Sequence, residues 1–170
     1  MFFTNWTVCM TAFYFLIAIP ASRTRSLLLL ATHHICFEIM FMMNFIVVVV
    51  FWSLLYEEAI KDCQDDQKKI LNVYYAHLGP GFSALVNFAI TDVRLTPSHV
   101  KMVFTIAALY GYVNYIETKK RGAPLYWFLT WEDSTSLLIY MSLMAVFTGL
   151  WFVLCRISYA LKPVQVKVKK

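Results

Sequence analysis

Long apolar segments recur along this chain, separated by short polar linkers. A helix needs roughly 20 apolar residues to cross the hydrocarbon core of a bilayer, and lipid offers no partner for backbone polar groups outside a helix. The segments are therefore predicted to be membrane-spanning helices, because 60% hydrophobic residues is too apolar for a water-soluble domain of 170 residues. They cover residues 2–19, 34–56, 80–91, 100–116 and 137–158.

The predicted fold is all-α, a polytopic transmembrane helical bundle of about five spanning helices. Neither an internal repeat nor a low-complexity tract divides the chain, and its linkers are short. A single domain is therefore predicted for residues 1–161, followed by a basic C-terminal tail, residues 162–170.

Small and polar residues at helical spacing predict which helix faces turn inward. Helices in lipid associate through close backbone contact and hydrogen bonds, because no hydrophobic force drives them together. Gly79, Pro80 and Gly81 are interpreted as the start of the third helix, since glycine and proline often stand at helix ends. The predicted inward residues are Ser83, Asn87 and Thr91 on that helix, Ala107, Gly111, Asn114 and Thr118 on the fourth, and Ser142, Ala145 and Gly149 on the fifth.

Charged residues are distributed unequally between the two ends of the predicted bundle. The acidic side carries six basic and eight acidic residues. The basic side carries Asp92 and nine basic residues, namely Arg23, Arg25, Arg94, Lys101, Arg156, Lys162, Lys167, Lys169 and Lys170. Because basic residues favour the cytosolic or matrix face, the C-terminus is predicted there and the N-terminus opposite. The net charge of +5 lies beside apolar spans, which indicates membrane lipids rather than nucleic acid as partners.

Glu38 is the candidate functional group of the second predicted helix, because a carboxylate inside a membrane is costly. It is expected near His33, His34 and His99 at the basic-side surface. One interpretation is a proton relay, or a haem held between facing histidines. The other, which the sequence favours, is a paired or protonated carboxylate with interfacial histidines beside it. The four cysteines have no metal-binding spacing, so no metal or other cofactor is predicted.

Thr4 is the candidate nucleophile and His77 its candidate base. A threonine hydroxyl is a poor nucleophile unless a base takes its proton. The first and third predicted helices both begin on the acidic side, so His77 is the histidine that shares a leaflet with Thr4. The other histidines lie across roughly 30 Å of hydrocarbon. The alternative interpretation is that Thr4 bonds its own helix backbone and that His77 is an interfacial loop residue.

Several short motifs follow one another in an order that is typical of a known family. They are Phe3-Thr4-Asn5-Trp6, then His77, Asn87 and Asp92-x-Arg94, then Gly122 with Tyr126-x-x-Leu129-x-Trp131. This order resembles the androgen-induced protein and rolling stone superfamily of small polytopic membrane proteins, over most of residues 3–155.

The resemblance implies a location in the endoplasmic reticulum or plasma membrane. It also implies an activity, because the androgen-induced branch contains hydrolases that cleave fatty acid esters of hydroxy fatty acids with an intramembrane threonine and histidine. Thr4 matches the threonine of that branch. With Asp92 and Arg94 aligned, the histidine of the branch falls at Phe82, and His77 lies five residues before it.

The leading hypothesis is a non-catalytic, lipid-binding accessory subunit of a larger membrane complex. Its partners are other membrane-protein subunits, its mass of 19.8 kDa suits that role, and the mitochondrial inner membrane is then a candidate location. The alternative is a threonine-dependent intramembrane hydrolase of lipid esters that uses Thr4 and His77. A haem or proton carrier built on His34, Glu38 and His99 is the third hypothesis.

Overall fold

The computed structural model describes residues 2–23 and 26–162, which form helices and turns with no strand among them. The helical elements are α1 (Phe3–Arg23), α2 (Leu27–Val50), a π-helical turn (Phe51–Leu55), α3 (Tyr56–Asp62), α4 (Gln67–Ile90), a 3₁₀ turn (Pro97–His99), α5 (Val100–Arg121) and α6 (Ser134–Leu161). The prediction of an all-α helical bundle is confirmed. Residues 163–170 of the predicted tail, and Arg25, lie outside the described residues.

Three helical segments are long and apolar enough to cross a membrane: Phe3–Arg23, Leu27–Asp62 and Ser134–Leu161. The second of these is one continuous helix made of α2, the π-helical turn and α3. α4 and α5, with 24 and 22 residues, match a bilayer in length but are less apolar. The chain is an integral membrane protein, while the organelle and the side that holds the C-terminus stay predictions.

The segment 79–81 lies inside α4, so the prediction that it starts a helix is wrong. α4 begins at Gln67, because Asp66 caps it by accepting hydrogen bonds from two backbone N–H groups of the first turn at 2.9 and 3.3 Å. Gly81 instead serves packing. A Cβ atom there would lie 2.7 Å from Val48 Cγ2, so only glycine lets α4 approach α2 this closely. Pro80 has no N–H and so removes one backbone hydrogen bond from α4, but the helix continues through it and keeps the contact at Gly81.

α2 is the central helix of the bundle, with α1 and α4 packed along it. Phe37, Met40 and Phe41 on α2 are buried, together with Tyr14 of α1 and Trp151 of α6. Lipid is as apolar as these side chains, so close packing rather than transfer out of water stabilises this core. The core therefore depends on the fit between α2 and its neighbours.

The predicted inward faces are confirmed on α4 and α5. Asn87 Nδ2 of α4 donates a hydrogen bond to the Tyr14 hydroxyl at 2.6 Å. Gly111 and Asn114 of α5 are buried. The Tyr140 ring of α6 packs directly against the backbone of Gly111, where any side chain would collide with the phenol. Small and polar residues therefore mark the contacts of these two helices, as expected for helices in lipid.

The predicted inward face of α6 is wrong, because Ser142, Ala145 and Gly149 are exposed. A Cβ atom added at Gly149 would meet nothing within 4 Å, so no helix in the described part of the chain lies close to that face. The space beside α6 is filled by larger side chains instead. The buried residues of α6 are Ser136, Met144, Phe147, Trp151, Cys155 and Ser158.

Candidate functional site

A cavity of about 110 Å³ lies between α1, α2, the π-helical turn, α4, α5 and α6, and we name it the Thr4 cavity. Its walls are almost wholly apolar and carry aromatic rings from several helices. Thr4, His77 and Thr148 are among the few polar side chains on it. The apolar and aromatic lining includes Phe51, Val103, Tyr110, Tyr140, Leu143 and Phe147. An apolar cavity with few polar groups is the usual form of a small-molecule site.

A second cavity, of about 480 Å³, adjoins the first on the acidic side. Thr4 and His77 line this cavity as well, so both residues lie between the two spaces. Glu58 and Asp62 of α3 and the exposed ring of Trp127 form part of its rim. The structure therefore gives Thr4 and His77 a common surface with access from the charged end of the bundle.

The Thr4 hydroxyl lies in the first turn of α1 and, within residues 2–23 and 26–162, makes no hydrogen bond. The next two threonines of the helix behave differently. Thr7 Oγ1 donates to the Phe3 carbonyl at 3.0 Å, and Thr11 Oγ1 donates to the Thr7 carbonyl at 2.8 Å. The interpretation that Thr4 bonds its own helix backbone is therefore wrong, because Thr4 turns towards the cavity instead.

The His77 ring is fixed on one side and open on the other. Its Nδ1 atom lies 2.8 Å from the Val73 carbonyl oxygen, and because a carbonyl only accepts, Nδ1 carries the proton. The ring stacks on Phe51 of the π-helical turn, with centroids 3.7 Å apart and planes at 12°. Nε2 is then left with its lone pair, which is the form of histidine that acts as a base.

Tyr126 anchors the start of α1 beside Thr4, a role that sequence reasoning missed. The Phe3 backbone N–H donates to the Tyr126 hydroxyl at 3.1 Å, and the Tyr110 hydroxyl donates to the same oxygen at 3.0 Å. Burial raises the pKa of Tyr126, so this anchor stays neutral. Position 126 belongs to a motif that the family resemblance marked, but the sequence carries no signal for the contact itself.

The structure brings Thr4 and His77 to one surface without joining them, since no hydrogen bond links them among the described residues. The expected direct contact between hydroxyl and imidazole is therefore not present. Phe82, which aligns with the family histidine, is 69% exposed and does not line the Thr4 cavity. Of these two positions on α4, His77 alone shares a cavity wall with Thr4.

A second group of polar side chains surrounds Glu38 in the middle of α2, and we name it the Glu38 cluster: His34, Glu38, Thr96 and His99. Glu38 is 2% exposed. Its Oε1 accepts from the Thr96 backbone N–H at 2.5 Å and lies 3.2 Å from His34 Nε2, while Oε2 hydrogen-bonds His99 Nδ1. The predicted neighbourhood of Glu38 with His34 and His99 is confirmed. His33 lies outside the cluster and stacks on Tyr14.

The link between α4 and α5 is held against the end of α6. The Leu95 backbone N–H donates to Ser158 Oγ at 3.0 Å, in a buried contact. Lys162 Nζ donates to the backbone oxygens of Phe88 and Val93, so this residue of the predicted tail packs on α4. Burial lowers the pKa of Lys162. These contacts place Thr96 and His99 beside Glu38.

The Glu38 cluster differs from a haem site. The His34 and His99 rings have centroids 5.9 Å apart and meet edge to face at 88°. Both contact the same carboxylate, whereas bis-histidine haem ligation needs two imidazoles on opposite faces of a porphyrin. The arrangement suits a paired carboxylate, or a small ion held by all three side chains.

Sequence reasoning also missed Thr96 and Phe51. Thr96 precedes Pro97, and this pattern indicates a helix boundary but not a donor for Glu38. Phe51 lies in an unbroken apolar run that predicts an ordinary helix, whereas the structure has a π-helical turn there. Neither contact follows from spacing alone.

Comparison of this chain with protein-family models, with curated proteins and with solved structures found no match. The resemblance to the androgen-induced protein and rolling stone superfamily therefore stays a prediction.

Proposed function

We propose that this chain is a lipid-binding, non-catalytic accessory subunit of a larger membrane complex. The observation that supports this best is the Thr4 cavity, because its almost wholly apolar walls suit an acyl chain. An empty apolar space between helices forfeits dispersion contacts. An acyl chain from the bilayer restores those contacts and brings no polar atom of its own into the cavity, so lipid is the natural occupant.

The outer surface of the bundle supports the role of a subunit. Large apolar side chains on separate helices stand outward, among them Leu16, Ile90 and Leu138, which are 67%, 77% and 68% exposed. Surfaces of this kind contact acyl chains or the helices of neighbouring subunits. The chain therefore has an apolar cavity for lipid inside the bundle and a broad apolar contact area on its outer surface.

Photolabelling tests the lipid-binding proposal. Purified protein in lipid nanodiscs is exposed to a photoreactive fatty acid, and the labelled peptides are mapped. Leu143→Trp places an indole in the Thr4 cavity and is expected to lower the labelling of cavity residues by more than about tenfold, or roughly 1.4 kcal/mol. Leu138→Trp, on the exposed face of the same helix, is the matched control. Equal labelling of both variants contradicts the proposal.

Crosslinking in the native membrane tests the subunit role. Mild solubilisation is expected to release the chain in an assembly well above its own mass of 19.8 kDa. Crosslinks should then fall on the exposed apolar faces of α4 and α6. Recovery of a lone monomer, with no crosslinked protein partner, contradicts this part of the proposal.

A second candidate function is an intramembrane threonine hydrolase of lipid esters. One observation favours it: Thr4 and His77 line the same two cavities, and among the described residues neither the Thr4 hydroxyl nor His77 Nε2 has a hydrogen-bond partner. Nδ1 of His77 is held by the Val73 carbonyl. Fatty acid esters of hydroxy fatty acids are the substrate class that the family resemblance implies.

The reaction would proceed by two acyl transfers. His77 Nε2 takes the Thr4 proton as the threonine oxygen attacks the ester carbonyl, and the proton then passes to the departing hydroxy fatty acid. Water, deprotonated by the same nitrogen, attacks the acyl-threonine and releases the second fatty acid, and the proton passes from Nε2 to the departing Thr4 oxygen. The Thr4 cavity would hold one acyl chain during both steps.

A fluorophosphonate probe separates this candidate from the leading proposal. The hydrolase predicts labelling of Thr4 that Thr4→Ala abolishes and Thr4→Ser preserves. Thr7→Ala is the control on the same helix, because Thr7 bonds its own backbone and lies outside both cavities. Lipid photolabelling without any probe labelling of Thr4 leaves the binding proposal standing and removes the hydrolase.

A further inference from the structure

We propose that His34, Glu38 and His99 form a binding site for a divalent transition-metal ion of the zinc type. Two imidazole nitrogens and one carboxylate are a donor set that zinc takes in sites that keep one position open. The site is independent of the functions proposed above. Glu38 and Phe51 lie about 20 Å apart along one helical axis at 1.5 Å per residue, so the two sites are tested separately.

The three donor atoms already converge. His34 Nε2, His99 Nδ1 and a Glu38 carboxylate oxygen all lie within 4.8 Å of one another. The distance from His34 Nε2 to Glu38 Oε1 is 3.2 Å. Neighbouring ligands of a tetrahedral ion with bonds of about 2.1 Å are roughly 3.4 Å apart, which is close to that distance. An ion that replaces the proton between His99 and Glu38 moves these two atoms apart and keeps both as ligands.

The charge of the cluster favours a cation. Glu38 is 2% exposed, and a buried carboxylate is costly unless a positive charge or hydrogen bonds compensate it. With both imidazoles neutral, the three side chains carry one negative charge. Two cations of the neighbouring segments are engaged elsewhere: Lys162 donates to two backbone oxygens, and Arg94 lies 5.4 Å from the centre of the Tyr159 ring.

The surrounding contacts hold the ligands in place before an ion arrives. The Thr96 backbone N–H donates to Glu38 Oε1. Thr96 Oγ1 lies 3.4 Å from His34 Nε2, the atom that would ligate the ion, so the ion replaces this long contact. The preceding residue, Leu95, is completely buried and is tied to Ser158 on α6. Hydrogen bonds to ligating side chains orient them and strengthen metal binding.

The site has a route to the surface. The side chains of His34 and His99 are 36% and 26% exposed, while Glu38 behind them is buried. An ion can therefore enter between the two imidazoles without unfolding the bundle. Water from the same side completes the fourth position, as in zinc sites with three protein ligands.

Metal titration tests the proposal with the full chain in detergent after treatment with a chelator. Co²⁺ is added as a coloured substitute for Zn²⁺, and the visible absorption of a tetrahedral cobalt site is followed. We expect one Co²⁺ per chain, displaced by Zn²⁺. Loss of a residue that only hydrogen-bonds a metal ligand weakens metal binding by about 10- to 100-fold. His34→Gln and His99→Gln each remove a ligand itself, so each should weaken binding by more than about tenfold.

His33→Gln is the matched control, because His33 adjoins His34 in sequence but stacks on Tyr14. It should bind Co²⁺ as the unmodified chain does. Absence of stoichiometric Co²⁺ and Zn²⁺ binding to the unmodified chain overturns the proposal, as does equal binding by the His33 and His34 variants. His34 is half-buried, so its variant folds even where a change at Glu38 would not.

Discussion

The two halves of the continuous helix Leu27–Asp62 arrange the polar side chains around them in opposite ways. At the Glu38 cluster, a buried carboxylate meets two imidazoles and a backbone N–H, so polar atoms contact one another. At the Thr4 cavity, the Thr4 hydroxyl and His77 Nε2 face an apolar space and are not joined by a hydrogen bond in the part of the chain that the structure describes. The same helix thus borders a cluster of polar side chains that bond one another, which we call the closed end, and an apolar cavity, which we call the open end.

This difference indicates which property of the protein each end affects, stability or ligand binding. Polar groups that satisfy one another in a low-dielectric interior hold the surrounding segments together, and removal of one partner leaves the others costly. Polar groups that face an open cavity contribute little to stability and are available to a ligand. We therefore expect substitutions at the Glu38 cluster to change mainly the free energy of unfolding, and those at the Thr4 cavity to change mainly binding.

Glu38→Ala should give the largest effect on stability. It removes the acceptor of the Thr96 N–H and the partner of both histidines, which is expected to lower the free energy of unfolding by about 3 kcal/mol. Thr4→Ala, at the open end, should change it by less than about 0.5 kcal/mol. Denaturant titrations in detergent with a chelator present measure both values. Similar losses for the two variants would break the contrast between the two ends.

Gly111→Ala should give the next largest effect. The added methyl group collides with the Tyr140 ring, which lines the Thr4 cavity, and such overpacking costs about 1–3 kcal/mol. The displaced ring should also lower photolabelling of the cavity by a fatty acid. Gly149→Ala is the control on α6, because a methyl group there meets nothing within 4 Å among the described residues. It should leave the labelling unchanged and should not lower stability, since alanine is the better helix former. Loss of stability without loss of labelling would show that Tyr140 moves away from the cavity.

The sequence predicts part of each end. Topology pairs Thr4 with His77, and the structure places both on one cavity wall without a hydrogen bond between them among the described residues. The neighbourhood of Glu38 with His34 and His99 followed from the same reasoning, but its closure by Thr96 did not. A backbone N–H has no sequence signal, because every residue except proline carries one.

The helix boundaries and faces show a second limit of the sequence. Proline and glycine at 79–81 indicated a helix start, yet the Asp66 cap and the close contact at Gly81 place the segment inside α4. The small residues of α5 face inward, while Gly149 and its neighbours on α6 face outward. Small residues permit close packing but do not require it, so tertiary fit decided which stripe was used.

His77→Phe should have the smallest effect on stability and the sharpest effect on function. Phenylalanine keeps the stacking on Phe51, so the free energy of unfolding should change by less than about 0.5 kcal/mol. It cannot take a proton, so a hydrolase would lose labelling of Thr4 by a fluorophosphonate by at least about 100-fold. A lipid-binding subunit would keep its photolabelling by a fatty acid unchanged. His33→Phe, which lies at the Glu38 end of the helix and outside both cavities, is the control for either readout. The pair of variants therefore separates a cavity that only holds an acyl chain from one that also cleaves an ester.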